Sequence, residues 1–205
     1  MIIGLLGFAG SGKGTVGDLL MDYHGYRKDS FAGPLKDATA AIFGWDRGLL
    51  EGDTPQSRAW RERPDEFWTE HFEQTFTPRI ALQLMGTEAG RNVFHKDLWV
   101  ISLLHRAQGH SIVVTDVRFK NEVEALKQAG GIMVRVQRGV NPAWFDTAKE
   151  ANRGDVGAIE TMKTLGIHSS EWDWIGCGVD VLIPNNGSLS DLRERVDALA
   201  QSYRA

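Results

Sequence analysis

The run Gly7-Phe8-Ala9-Gly10-Ser11-Gly12-Lys13-Gly14-Thr15 has the glycine and lysine spacing of a phosphate-binding loop. Glycines allow consecutive backbone N–H groups to point inward at phosphate oxygens, and a helix that follows adds its positive N-terminal end. Lys13 supplies a mobile point charge for β- and γ-phosphates, and Gly10, Ser11, Gly12 and Gly14 supply the cradle. Gly14 stands where Ser or Thr usually follows the lysine, and Thr15 comes one place later. Direct Mg²⁺ ligation by Thr15 therefore stays open; a water linking it to the metal is the expectation.

A second group is Thr115-Asp116-Val117-Arg118. An acid just beyond the carboxyl end of a buried strand sits where an open α/β sheet places ligand chemistry. Asp116 is placed to hold Mg²⁺ through water or to accept a proton, and Arg118 to clamp a phosphate with two N–H groups. The bland alternatives are a helix cap for Asp116 and a solvated side chain for Arg118.

Both groups need a strand before them and a helix after. Ile2-Ile3-Gly4-Leu5-Leu6 is an apolar run ended by glycine, the pattern of a strand buried on both faces. Val16, Leu19, Leu20 and Tyr23 then share one helical face. Strands are expected at 112–114, 132–136 and 179–183, a helix over 119–129, and a last helix after Ser188, capped with Asp191. This is an α/β scaffold with a mostly parallel sheet. Two stretches interrupt its rhythm: a mostly helical one up to Arg106, rich in tryptophan between Gly44 and Phe76, and a glycine-punctuated one over 139–174 with a helix near 155–165. Neither has the apolar periodicity to suggest a core of its own, so 1–205 reads as one domain with insertions.

Composition sets bounds. Of 205 residues, 42% are hydrophobic and 24% charged, which excludes wholesale disorder. Glycine is in excess at 23 residues, but in tight loops and without a repeat. A net charge of −4 argues against nucleic acid as the main partner. A single cysteine, Cys177, cannot form an internal disulfide, and no apolar run is long enough to span a membrane. A cytoplasmic protein is expected.

The ordered blocks Gly12-Lys13-Gly14-Thr15, Phe31 to Asp37, Arg79 through Gln83 to Gly86-Thr87-Glu88, Trp99-Val100, Asp116-Val117-Arg118 with Asn121-Glu122, Arg138, His168 to Glu171 and Asn186-Gly187-Ser188 resemble the bacteriophage deoxynucleoside monophosphate kinases over nearly the whole chain. The resemblance implies a P-loop kinase sandwich of three αβα layers, with ATP and Mg²⁺ as cofactors and a deoxynucleoside monophosphate as acceptor. It also implies jobs for the insertions. Residues 30–106 would bind the acceptor through Ser30, Lys36, Arg79, Gln83, Arg91 and Trp99, joined by Arg118. Residues 139–174 would form a lid, with Arg138 at its base meeting the transferring phosphoryl group and Arg153 as a weaker candidate. Asn186 would contact ATP. For Arg91 a solvated helix face, and for Trp99 core packing, are the competing readings. Other small-molecule P-loop kinases, such as dephospho-coenzyme A kinase, stay open, as does a nucleic-acid-linked ATPase. Base preference, discrimination against ribose, the roles of His168 and Glu171, and homodimerisation are left open too.

Overall fold

The computed structural model describes residues 1–203. They form two compact units: residues 1–30 with the chain from Leu103 onward, and residues 31–102.

The first unit is built on five parallel strands, β1 (Ile2–Leu6), β2 (Arg27–Asp29), β3 (Ile112–Val114), β4 (Ile132–Gln137) and β5 (Val181–Pro184). Their spatial order is β2-β3-β1-β4-β5, so the strand that feeds the phosphate loop lies in the centre. β1 pairs with β3 through Ile3–Val113 and with β4 through Leu5–Val134, and all five of its residues are buried. Helix α1 (Lys13–His24) and the C-terminal helix α10 (Leu189–Ser202) pack together on one face. There Val16, Leu20, Leu192 and Val196 share a core with the strand residues Ile3 and Val134. Helix α7 (Lys120–Gln128) packs on β1 and β4 from the other face. This is the expected three-layer P-loop kinase sandwich.

β2 carries no apolar residue, its sequence being Arg-Lys-Asp, which is why periodicity does not reveal it. β5 starts later than expected because Asp180 is taken up by the Met133 peptide. Its N–H donates to the Met133 carbonyl, and its carboxylate accepts from the Met133 N–H. Ser188 and Asp191 form the anticipated reciprocal cap.

The second unit contains α2 (Gly33–Phe43), α3 (Pro55–Arg61), α4 (Glu66–His71) and α5 (Pro78–Gln83). It has a core that apolar periodicity does not announce. Phe43 stacks on Trp45 at 4.6 Å and meets Trp68 and Phe76, edge-on and tilted, at 5.1 and 5.3 Å. The rings come from short helices and the turns between them, so they share no helical spacing. After α5 the chain widens into a π-helix, Leu84–Phe94. Gly86 and Gly90 are its buried residues, and the Trp99 indole lies against Gly90 and donates to the Gly86 carbonyl at 2.9 Å. α6 (Leu98–Ala107) follows.

Within 139–174 the chain forms two helices, α8 (Phe145–Asn152) and α9 (Val156–Thr164). Asn152 ties this segment down, its amide donating to the carbonyls of Trp172, Asp173 and Ile175. No helix among the described residues is long and apolar enough to cross a membrane.

Candidate active site

The phosphate loop joins β1 to α1, and two of its glycines are required where they stand. Gly7 has φ +141°, and a Cβ there would run into the Val136 carbonyl oxygen. Gly12 has φ +102°, and its Cβ would run into Asn185 Nδ2. A side chain at either would be strained and would collide. Around Gly10 and Gly14 there is open space. The loop, with Lys28, Thr115 and Arg138, lines a cavity of about 430 Å³. Ser11 Oγ is buried beside Gly7 with no hydrogen-bond partner among the described residues. The loop geometry and the open glycines fit a nucleotide's phosphates.

Lys13 folds over its own loop, donating to the carbonyls of Gly7 at 2.6 Å and Phe8 at 3.0 Å. Burial, reinforced by the nearby Arg118 guanidinium and opposed by Glu171, lowers its pKa to about 8. Arg118 is thus close to Lys13, and its Nη1 pairs with Glu171 at 3.2 Å. Asp116 stands two residues beyond β3, and its neighbour Thr115 lines the cavity, as does Arg138 from the end of β4. Thr15 lies on the cavity wall at the start of α1. The phosphate-loop residues, Thr115 beside Asp116, Arg118 and Arg138 are therefore gathered at the carboxyl ends of the strands. Arg153 is elsewhere: it is exposed and pairs with Glu150 at 2.7 Å. Asn186 accepts from the Gly139 N–H at 2.7 Å, while its neighbour Asn185 touches the loop. Ser30 follows β2, its carbonyl accepting from Arg106 at 3.1 Å.

In the second unit, Lys36 pairs with Glu51 at 2.6 Å, and Arg47 also bonds Glu51. Burial works against the Glu51 charge, but the hydrogen bonds from Lys36 and Arg47 outweigh it and hold the carboxyl below its usual range. Gln83 ends α5 with its side chain exposed, and Arg91 is half-buried on the π-helix. Arg79 is exposed, 4.0 Å from Glu62. Beside it, Arg61 has a buried Nε with no partner among the described residues, and its guanidinium occupies the space where a Gly52 side chain would stand. Burial, then the charges of Arg79 and Arg58, push the Arg61 pKa down against the opposing charges of Glu62 and Glu51.

No family model matches the chain. It is similar to shikimate kinase from Aquifex aeolicus, at 15% identity over 98% of this chain and 97% of that one, with a TM-score of 0.44. A deoxynucleoside-5′-monophosphate kinase of Escherichia phage T5 is 28% identical over 180 residues, covering 62% of this chain and 72% of the phage protein. A protein of Acanthamoeba polyphaga mimivirus, named for deoxynucleotide monophosphate kinase activity, is 34% identical over 152 residues, or 67% of this chain and 74% of the viral one. The chain belongs to the deoxynucleotide monophosphate kinase family.

Three residues of this kinase escape a reading of motifs. Lys28 comes from the polar strand β2. Asn185 is separated from the loop it holds by most of the chain, and Arg61 lies in a polar stretch with no apolar pattern around it. Glu171 is legible only as part of the His168 block. His168 itself caps the short turn Ser169–Glu171, with Nδ1 2.8 Å from Ser170 Oγ, which sets Glu171 facing Arg118.

Proposed function

We propose that this kinase transfers the γ-phosphoryl group of ATP to the 5′-phosphate of a deoxynucleoside monophosphate, giving the diphosphate and ADP, through the residues named above. An acceptor phosphate oxygen forms the new bond to the γ-phosphorus as the bond to the β,γ-bridging oxygen breaks, and the electron pair leaves with ADP. The acceptor is already ionised at neutral pH, so the protein's work is positioning and charge neutralisation. Backbone N–H groups of Gly10 to Thr15 hold the ATP phosphates. Lys13 leaves the carbonyls of Gly7 and Phe8 for the β- and γ-phosphates. Arg118 and Arg138 spread over charge on the transferring group, where planar guanidinium groups serve better than ammonium. Thr15 and Asp116 would hold Mg²⁺ through water, as suits an ion that keeps much of its hydration, and the ion would neutralise phosphate charge.

On the acceptor side, Lys36 and Arg79 meet the α-phosphate, with Arg61 as their partner. Ser30, Gln83, Arg91 and Trp99 form the nucleoside side of the site. Trp99 acts through shape, because its indole N–H is already committed to Gly86. Residues 139–174 close as a lid, in line with the need to keep water from the transferring group.

The observation that carries this reading is the 430 Å³ cavity in which Lys13 and Arg138 flank an open glycine loop. A coupled assay of ADP release over the four common deoxynucleoside monophosphates tests it, with dephospho-coenzyme A and single-stranded DNA as controls. Turnover with at least one of the four, and none with the controls, is expected; turnover only with a control would replace the reading.

A further inference from the structure

On the sheet face opposite α1 and α10 lies a second cavity, of about 300 Å³, that shares no residue with the phosphate loop's own. Arg135 lines it from β4, Lys149 from α8, and Phe145 and Trp174 form its walls. A guanidinium inside a protein is ordinarily met by an acid, since burying an unpaired charge is costly. Arg135 has none among the described residues. Its Nη2 donates to Asn141 Oδ1, its faces lie 4.7 Å from the Phe145 ring and 5.3 Å from Trp174, and its Nε is buried without a partner among the described residues. The rings serve the faces of the ion but not its in-plane N–H donors, of which a guanidinium has five. Burial, uncompensated by any acid, pushes the Arg135 pKa down. Lys149 likewise makes no ion pair among the described residues.

We propose that this cavity is a binding site for a small phosphate monoester carried on a flat ring. The two cations match the two charges of a phosphate monoester, the fork of Arg135 presents parallel donors to its oxygens, and the half-buried Phe145 offers the ring an apolar edge, while the buried Trp174 backs the guanidinium. The volume lies at the lower end of the range for small-molecule sites. The site is also wired to the catalytic loop. Phe8, inside that loop, packs against Trp174 at 5.3 Å and Phe145 at 6.2 Å, so an occupant that moves these rings moves Phe8. The ligand acts as an effector of ATP binding.

Calorimetric titration with phenyl phosphate tests the site, using the intact protein saturated with ADP to block the phosphate loop. Wild type and Lys13→Ala should bind it alike. Arg135→Met and Lys149→Ala should each weaken binding by about tenfold, the effect of losing one charge-assisted contact. Inorganic phosphate, lacking the ring, should bind more weakly than phenyl phosphate. No binding by wild type, or binding that Lys149→Ala leaves unchanged, overturns the proposal. Lys149 is only half-buried, so its variant decides the matter even if Arg135→Met does not fold. Phenyl phosphate should also shift the KM for ATP in wild type and not in Lys149→Ala; binding that leaves this KM unchanged would overturn the effector role.

Discussion

The Asn185 amide donates to the Ser11 carbonyl at 2.8 Å, and the Asn185 N–H to the Gln137 carbonyl at 2.7 Å. One residue after β5 thereby fixes the peptide between Ser11 and Gly12, two residues that line the cavity. Asn185→Leu removes the donor while filling similar space. The KM for ATP should rise about tenfold, the worth of one well-placed hydrogen bond, with kcat within about twofold. Steady-state kinetics at saturating acceptor measure both; an unchanged KM would make Asn185 a bystander.

Lys13 gives a pH signature. Its folded pKa of about 8 lies below the ordinary 10.5, so the free enzyme loses this cation above about pH 8 while an unfolded chain keeps it. Bound ATP phosphates favour the ammonium and raise the pKa again. Hence kcat/KM for ATP should fall above about pH 8, while kcat holds to higher pH. ATP binding just above this pKa should take up a proton, visible as a dependence of the binding enthalpy on the buffer's ionisation enthalpy. The sign for stability is opposite: between the two pKa values the unfolded state binds more protons, so this group's contribution to folding improves as pH rises. A kcat/KM that stays flat well beyond about pH 9 would contradict the placement of Lys13.

Arg61 separates binding from stability. Arg61→Gln should raise the KM for the deoxynucleoside monophosphate about tenfold and leave the KM for ATP unchanged. Because Arg79 and Arg58 crowd Arg61, removing its charge should leave the melting temperature the same or higher. A variant that melts earlier with an unaltered acceptor KM would mark Arg61 as a packing residue.

Gly90 tests the π-helix. A Cβ there would lie 2.8 Å from both the Met85 carbonyl oxygen and the Trp99 ring. Gly90→Ala should cost about 1–3 kcal/mol in denaturant titration, the usual range for overpacking. A neutral substitution would mean that the wide turn relaxes freely.

The sequence is most transparent where chemistry and local geometry coincide. Gly7 to Thr15 announces a strand before and a helix after, and the buried runs at 112–114 and 132–136 announce themselves by composition. β2 is invisible to hydrophobicity because Arg27, Lys28 and Asp29 are polar; its pairing with β3 comes from the backbone. The π-helix is hidden because its 84–94 stretch also suits an ordinary helix, and only the packing of Trp99 onto Gly90 marks it out. Arg61 and Asn185 are missed for a third reason. Their significance lies in an absent partner in one case and a distant one in the other, and neither leaves a trace in spacing.

The most direct measurement follows the phosphoryl group itself. ATP labelled in its γ-phosphate, mixed with the kinase, Mg²⁺ and each deoxynucleoside monophosphate, should pass the label to the β-phosphate of a deoxynucleoside diphosphate. Transfer should fall by orders of magnitude in Lys13→Ala and in Asp116→Asn, with both variants still folded. Label appearing only in inorganic phosphate, or equal transfer by folded Lys13→Ala, would contradict the account.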